Sequence, residues 1–188
     1  MAGLFAIIGP SGAGKDTLLA GALAARPDLV LVRRVITRPS QAGGEDFDGV
    51  TETEFAQRKA AGAFALDWQA HGLHYGIPAA QIDPSRTVLF NGSRAALPLA
   101  QARFPGLVVV VVTAPVAVLA ARLAARGRET AADIASRLDR AGFDLAAGLA
   151  AGLAAGMTVR QVVNDGTPQQ GVAALLAALQ PATSANRG

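Results

Sequence analysis

The 188-residue chain has no cysteine, which excludes disulfides, thiolate metal sites and cysteine nucleophiles. It has two histidines, His71 and His74, too few for a histidine-rich metal centre, so any metal is expected to arrive with a ligand. Although 51% of the residues are hydrophobic, no long apolar run escapes interruption by glycine, proline or charge, and no membrane span is expected. The apolar stretch Leu4–Ile8 is too short for a signal peptide and has no basic region ahead of it, so a cytoplasmic protein is expected. A continuous basic tract is also missing: the net charge is +3 and the arginines are scattered, which argues against a nucleic-acid partner. Almost all the basic residues are arginine, the side chain suited to bidentate phosphate contacts, and small phosphorylated partners fit better. The oligomeric state stays open, a homodimer included.

What is present is a phosphate-binding loop in its proper setting. Gly9, Pro10, Ser11, Gly12, Ala13, Gly14, Lys15, Asp16 and Thr17 follow the apolar run and precede an apolar periodic segment. In the pattern G-x-x-x-x-G-K, glycines adopt backbone angles that turn successive N–H groups toward anionic oxygens, and the lysine reaches the outer phosphates. The helix that follows adds the positive end of its dipole. A nucleoside triphosphate with Mg²⁺ is the expected ligand. The position after the lysine, where Ser or Thr is usual, is Asp16, with Thr17 next; a carboxylate can bind magnesium directly or through water, so both are candidate metal ligands. The alternative is a glycine-rich turn that binds nothing.

Strands are expected near 3–8, 30–36, 87–91, 107–113 and 158–163, and helices near 15–25, 94–103, 115–126, 131–154 and 168–179. The β-branched runs at 87–90 and 107–112 are continuously apolar, as in strands covered on both faces of a parallel sheet, so an α/β fold with a parallel sheet flanked by helices follows. Residues 1–180 read as one domain and 181–188 as a disordered tail. Residues 37–86 are more polar and read as an insertion beside the loop, suited to a second substrate. There Thr51 and Glu54 form a capping box opening a helix to about Ala61, and His71-Gly72 joins two hairpin strands. Leucines 145, 149 and 153 repeat every four residues and form one structural stripe on a helix.

Arg122 and Arg126 are four apart and share a helix face; Arg128, Arg137 and Arg140 follow. Gly127 can act as the pivot of a lid, about 126–140, that closes over the triphosphate. Phosphoryl transfer needs positioning and positive charge more than covalent chemistry, and Lys15 with arginines on a closing lid meets that need. A solvated arginine-decorated surface is the plainer alternative. Arg33, Arg34 and Arg38 surround the end of the second expected strand, where ligands sit in open parallel sheets, and Arg38 is the best candidate for the acceptor's phosphate.

Taken in order, Gly-Pro-Ser-Gly-Ala-Gly-Lys, Thr37-Arg38-Pro39, Gly44-Glu45, Tyr75-Gly76, Arg122-Leu123, Arg126-Gly127 and Arg137-Leu138 resemble the guanylate-kinase-like P-loop kinases. The match fails where a guanylate kinase reads its nucleotide. Ser40-Gln41-Ala42 lacks the family's second phosphate-binding arginine, and Phe47 stands for its phosphate-binding tyrosine. Its base-reading glutamate falls near Leu66, the hydroxyl residue after Tyr-Gly becomes Ile77-Pro78, and an aspartate becomes Asn91. Such losses should weaken base discrimination by orders of magnitude. With Gly-Lys-Asp in the loop, Ala42-Gly43-Gly44-Glu45, Phe64-Ala65-Leu66, Gly72-Leu73-His74-Tyr75-Gly76, Asn91-Gly92-Ser93-Arg94 and Asn164-Asp165-Gly166, residues 3–180 resemble the ribose 1,5-bisphosphate phosphokinases of phosphonate catabolism.

That resemblance implies transfer from ATP to α-D-ribose 1,5-bisphosphate, giving 5-phospho-α-D-ribose 1-diphosphate. It implies that Lys15, Arg122, Arg126 and Arg137 are the catalytic residues, Lys15 on the β and γ phosphates and the arginines screening the migrating phosphoryl group, that Arg38 and Arg94 grip the sugar bisphosphate, and that Tyr75, Asn91, Ser93 and His74 hydrogen-bond it. A guanylate kinase of relaxed sequence, a kinase of another small metabolite, and a non-catalytic guanylate-kinase-like binding module are the alternatives.

Overall fold

The computed structural model describes residues 3–40, 45–125 and 156–180. A five-stranded parallel sheet is built from β1 (Gly3–Ile8), β2 (Leu29–Leu31), β7 (Thr87–Asn91), β8 (Val108–Thr113) and β9 (Thr158–Val163), in the order β2-β7-β1-β8-β9. Its central strands are apolar on both faces because both faces are covered. Phe5, Ile7, Leu89, Val110 and Val112 turn to one side. There they meet Leu18, Leu19 and Ala22 of α1 (Lys15–Ala25), Leu119 and Leu123 of α4 (Val116–Ala125), and Leu175 of α5 (Pro168–Ala178). The alternate set, Ala6, Ile8, Val88, Phe90, Val109 and Val111, packs on Leu97 and Ala100 of α3 (Leu97–Arg103) and on Leu66, Trp68 and Ile77 of a second sheet. The strand period of two thus feeds two cores from one sheet.

The second sheet has the order β4-β3-β6-β5, from β3 (Arg34–Ile36), β4 (Phe47–Gly49), β5 (Phe64–Ala70) and β6 (Leu73–Pro78). The β5–β6 hairpin turns at His71-Gly72, both with positive φ (52° and 74°), the pattern of a type I′ turn. One expected strand, 30–36, is corrected: it is two strands in two sheets. The N–H of Val32 donates the last bond to the main sheet, at Leu89 O (2.8 Å). At Arg33 the side chain of Gln81 replaces a neighbouring strand, accepting from Arg33 N (2.8 Å) and donating to its carbonyl (3.2 Å). Two consecutive arginines cannot both be satisfied inside a sheet covered on both faces, so the chain leaves it there. The helix expected over 94–103 also divides, into a 3₁₀ turn at Arg94–Ala96 followed by α3.

The capping box opens α2 (Glu52–Ala60) as expected: Thr51 Oγ1 accepts from Glu54 N (3.2 Å) and Glu54 Oε2 from Thr51 N (2.8 Å). That backbone bond holds the Glu54 carboxyl below its ordinary value, so its contribution is present above the usual carboxylate range and is lost as the pH falls through it. Thr51→Ala is expected to cost about 1 kcal/mol, read as a lower urea midpoint at unchanged slope. The lid at 126–140, the helix at 131–154 with its leucine stripe, and the tail at 181–188 lie outside the described residues. Among the described residues no helix is long and apolar enough to cross a membrane.

Candidate active site

The strand β1 delivers the chain into the phosphate loop under tight constraint. Gly9 has φ 151°, and a Cβ there would lie 2.0 Å from the Val112 carbonyl oxygen on β8. Gly14, also left-handed at φ 87°, caps α1, so Lys15 and Asp16 occupy that helix's first turn. Lys15 Nζ reaches back across the loop to donate to Gly9 O (2.8 Å) and Pro10 O (3.2 Å). From the far end of the sheet, buried Asn164 donates through Nδ2 to Ala13 O (2.8 Å), while its own N–H donates to Thr113 O (2.7 Å). Asn164 therefore ties the loop to the strand-to-helix connection after β9.

Cavities open on both sides of this loop. One, of about 340 Å³, is lined by Gly12, Gly14, Thr17, Arg122, Asn164, Gly166 and Pro168. The other, of about 280 Å³, lies between the loop and the second sheet and is lined by Lys15, Asp16, Arg34, Arg38, Glu45, His71, Tyr75, Asn91 and Ser93. Next to it a further cavity of about 390 Å³ is bounded by His71, Ser93, Arg94 and Ala95. The wall of the second cavity is one connected polar system. Arg34 Nη2 donates to Glu45 Oε1; Asn91 Nδ2 donates to Glu45 Oε2 (2.7 Å) and makes a long contact to Asp16 Oδ1 (3.4 Å). Arg38 lies over the Phe47 ring at 4.4 Å, and Tyr75 stacks on Trp68 at 5.2 Å.

No protein-family model matches the chain. The ribose 1,5-bisphosphate phosphokinase PhnN of Acidiphilium cryptum is 47% identical over 182 residues, covering 94% of this chain and 91% of that one. That of Agrobacterium fabrum is 50% identical over 149 residues, covering 76% and 81%. The chain belongs to the ribose 1,5-bisphosphate phosphokinase family. Longer relatives exist: the bifunctional ribose 1,5-bisphosphokinase-thymidine phosphorylase of Cupriavidus necator is 52% identical over 142 residues, and the chain spans 24% of its length. It spans 26% of the bifunctional relative from Azorhizobium caulinodans. In fold the chain matches a guanylate kinase from Anaplasma phagocytophilum, with a TM-score of 0.65 over 96% of this chain and 88% of that one at 17% identity.

Within this phosphokinase framework the expected site residues divide. Lys15, Arg38, Tyr75, Asn91 and Ser93 converge on the 280 Å³ cavity, and Arg94 borders the adjoining one. Arg122 lies on the opposite side of the loop, its Nη1 3.5 Å from Gly12 O. The two candidate metal ligands separate as well, Asp16 opening onto the second-sheet side and Thr17 onto the Arg122 side. Arg126 and Arg137 lie outside the described residues. His74 does not line these cavities; its ring packs 5.4 Å from Phe55, because alternate residues of β6 face opposite ways and Tyr75 takes the cavity side. The turn residue His71 lines it instead. Arg34, Glu45 and Asn164 carry more of the site than sequence reasoning gave them; Glu45 and Asn164 stood in the family motifs, but no motif says which groups they bond.

Proposed function

We propose that the protein transfers the γ-phosphoryl group of ATP to the 1-phosphate of α-D-ribose 1,5-bisphosphate, giving ADP and 5-phospho-α-D-ribose 1-diphosphate, as a single cytoplasmic kinase domain over residues 1–180. The observation that carries this reading is the pair of cavities flanking one phosphate loop, with two arginines and a lysine on the acceptor side. In the reaction an oxygen of the 1-phosphate forms the new bond to the γ-phosphorus while the bond to the bridging oxygen breaks and its electrons leave with ADP. That acceptor oxygen is already ionised near neutral pH, so no side chain has to remove a proton. The chain's task is to orient both phosphates and to screen charge.

Lys15 and the loop amides hold the β and γ phosphates, Arg122 screens from the other side, and Arg38 and Arg94 hold the sugar bisphosphate. Asn91, Ser93 and Tyr75 supply hydrogen bonds to it. Arg126 and Arg137 add positive charge to that screening, as the family motifs imply. For Mg²⁺ the donor set fits: Asp16 offers a carboxylate beside Lys15, and the buried Asn91 Oδ1 has no partner among the described residues. We assign the ion to Asp16 in preference to Thr17, which opens onto the other cavity. When bound, Mg²⁺ supplies charge neutralisation on the β and γ oxygens.

The guanylate kinase alternative loses support from burial. Ile77 is 0% exposed and Leu66 is 6% exposed, both inside the core between the two sheets, so neither position offers a polar group to a base. The test is ADP release from ATP and Mg²⁺ with ribose 1,5-bisphosphate and with GMP in parallel. Turnover with the sugar and a new diphosphate in its ³¹P spectrum is expected; turnover with GMP alone would replace this reading by guanylate kinase activity.

A further inference from the structure

Arg34 is an unusual residue to find on a buried strand. It is 9% exposed, on β3, and it lines the acceptor cavity. Its neighbour Arg33 is a surface residue whose guanidinium is taken up by Asp46 (3.0 Å) and Phe47 O (3.2 Å). The Arg34 guanidinium, in contrast, is pinned but incompletely used. Glu45 accepts from Nη2, and the aromatic pair Tyr75 and Trp68 lies under the carbon of the guanidinium at 5.1 and 5.8 Å. The Nε is buried with no hydrogen-bond partner among the described residues. Burying a cation is costly unless its donors are satisfied, so a purely structural arginine with a donor left over is a poor arrangement. An arginine fixed by a carboxylate and an aromatic face, with a donor unfilled beside a cavity, is preorganised for an oxyanion.

The position of that oxyanion follows from the polar chain Arg34–Glu45–Asn91–Asp16. Two side chains stand between Arg34 and the loop, so a phosphate on Arg34 is not the phosphate facing Lys15. A sugar bisphosphate carries two phosphates at opposite ends of one small molecule. We propose that Arg34 binds the phosphate that is not phosphorylated, the 5-phosphate, and so selects a bisphosphate over a monophosphate. This rests on the acceptor proposed above.

The test uses the sole tryptophan, Trp68, as a reporter beside Arg34, with calorimetry as a second readout. Wild-type protein, Arg34→Gln and Arg34→Lys are titrated with ribose 1,5-bisphosphate and with ribose 1-phosphate in the absence of nucleotide. Wild type is expected to prefer the bisphosphate by a factor of the order of a hundred, the worth of a charge-assisted contact, and Arg34→Gln to erase that preference. Arg34→Gln is expected to weaken binding of ribose 1-phosphate far less than that of ribose 1,5-bisphosphate, and Arg34→Lys to restore part of the preference. Equal binding of the two sugars by wild type, or an undiminished preference in Arg34→Gln, would overturn the proposal. So would parallel weakening of both sugars, the mark of a structural role; if Arg34→Gln does not fold, Arg34→Lys decides by the same criterion. The activity reading is judged separately: an Arg34-dependent preference without ADP release would remove the reaction and keep the subsite, and turnover without that dependence would do the reverse.

Discussion

Lys15→Ala is expected to lower kcat by roughly a hundred- to a thousandfold, the usual cost of removing one preorganised charge from a transition state. The ammonium is held by Gly9 O and Pro10 O at the mouth of the loop, so it enters the reaction already oriented, with no reorganisation at the moment of transfer. Among the described residues no other lysine lines the second-sheet cavity, and Arg122, on the far side of the loop, is 3.5 Å from a loop carbonyl with its own geometry. Arginine would carry the charge but not the compact point geometry that reaches between β and γ oxygens, so Lys15→Arg is expected to recover little. Stability should change modestly, since the lysine is only part-buried. The check is steady-state kinetics beside a thermal melt; a folded Lys15→Ala protein within tenfold of wild-type kcat would remove Lys15 from the catalytic set.

The second large effect is structural. Gly9→Ala places a methyl 2.0 Å from the Val112 carbonyl oxygen and 3.1 Å from its carbon, at a φ of 151° that side chains avoid. Both contacted atoms are backbone, in the interior strand β8 beside the central β1, so relief requires parting two strands that share a four-residue register. A loss of about 4 kcal/mol or more is expected, which for a domain of ordinary stability leaves a large unfolded fraction. Gly62→Ala is the control: its φ of 71° is also positive, yet nothing lies within 4 Å of a Cβ there, and about 1 kcal/mol is expected. Equal urea midpoints for the two variants would show that the close approach to Val112 carries no energy. Any folded Gly9→Ala protein is expected to be a poor enzyme as well, because a shift of about 1 Å in a positioning loop can cost a hundredfold in rate.

These effects rest on features of different visibility in the sequence. The loop was legible because its mechanism needs particular residues at fixed spacing: glycines for positive φ, a lysine, then a helix. The strands at 87–91 and 107–113 were legible because both faces are covered and the whole run must be apolar, and the helix at 52–60 because its cap is a local exchange of two hydrogen bonds. The hairpin at His71-Gly72 was legible for the same local reason. The break at Val32-Arg33 was not, since the group that ends the strand is Gln81, 48 residues away.

The site shows the same division. Sequence and family motifs brought Arg38, Asn91, Ser93 and Lys15 to one region, and the fold agrees. Which of His71 and His74 faces the cavity depended on the strand phase, which a hairpin fixes only once its register is set. By itself the sequence determined the parallel-sheet kinase fold, the phosphate loop and the family, because each is written in local patterns of polarity, glycine and charge. Only the tertiary structure decided that Asp16 and Thr17 part to opposite cavities, that Asn164 clamps the loop, and that Arg34, Glu45 and Asn91 form one polar wall. Those contacts join residues up to 151 positions apart, and the choice of partner among many arginines, asparagines and carboxylates is made by packing, which no local pattern encodes.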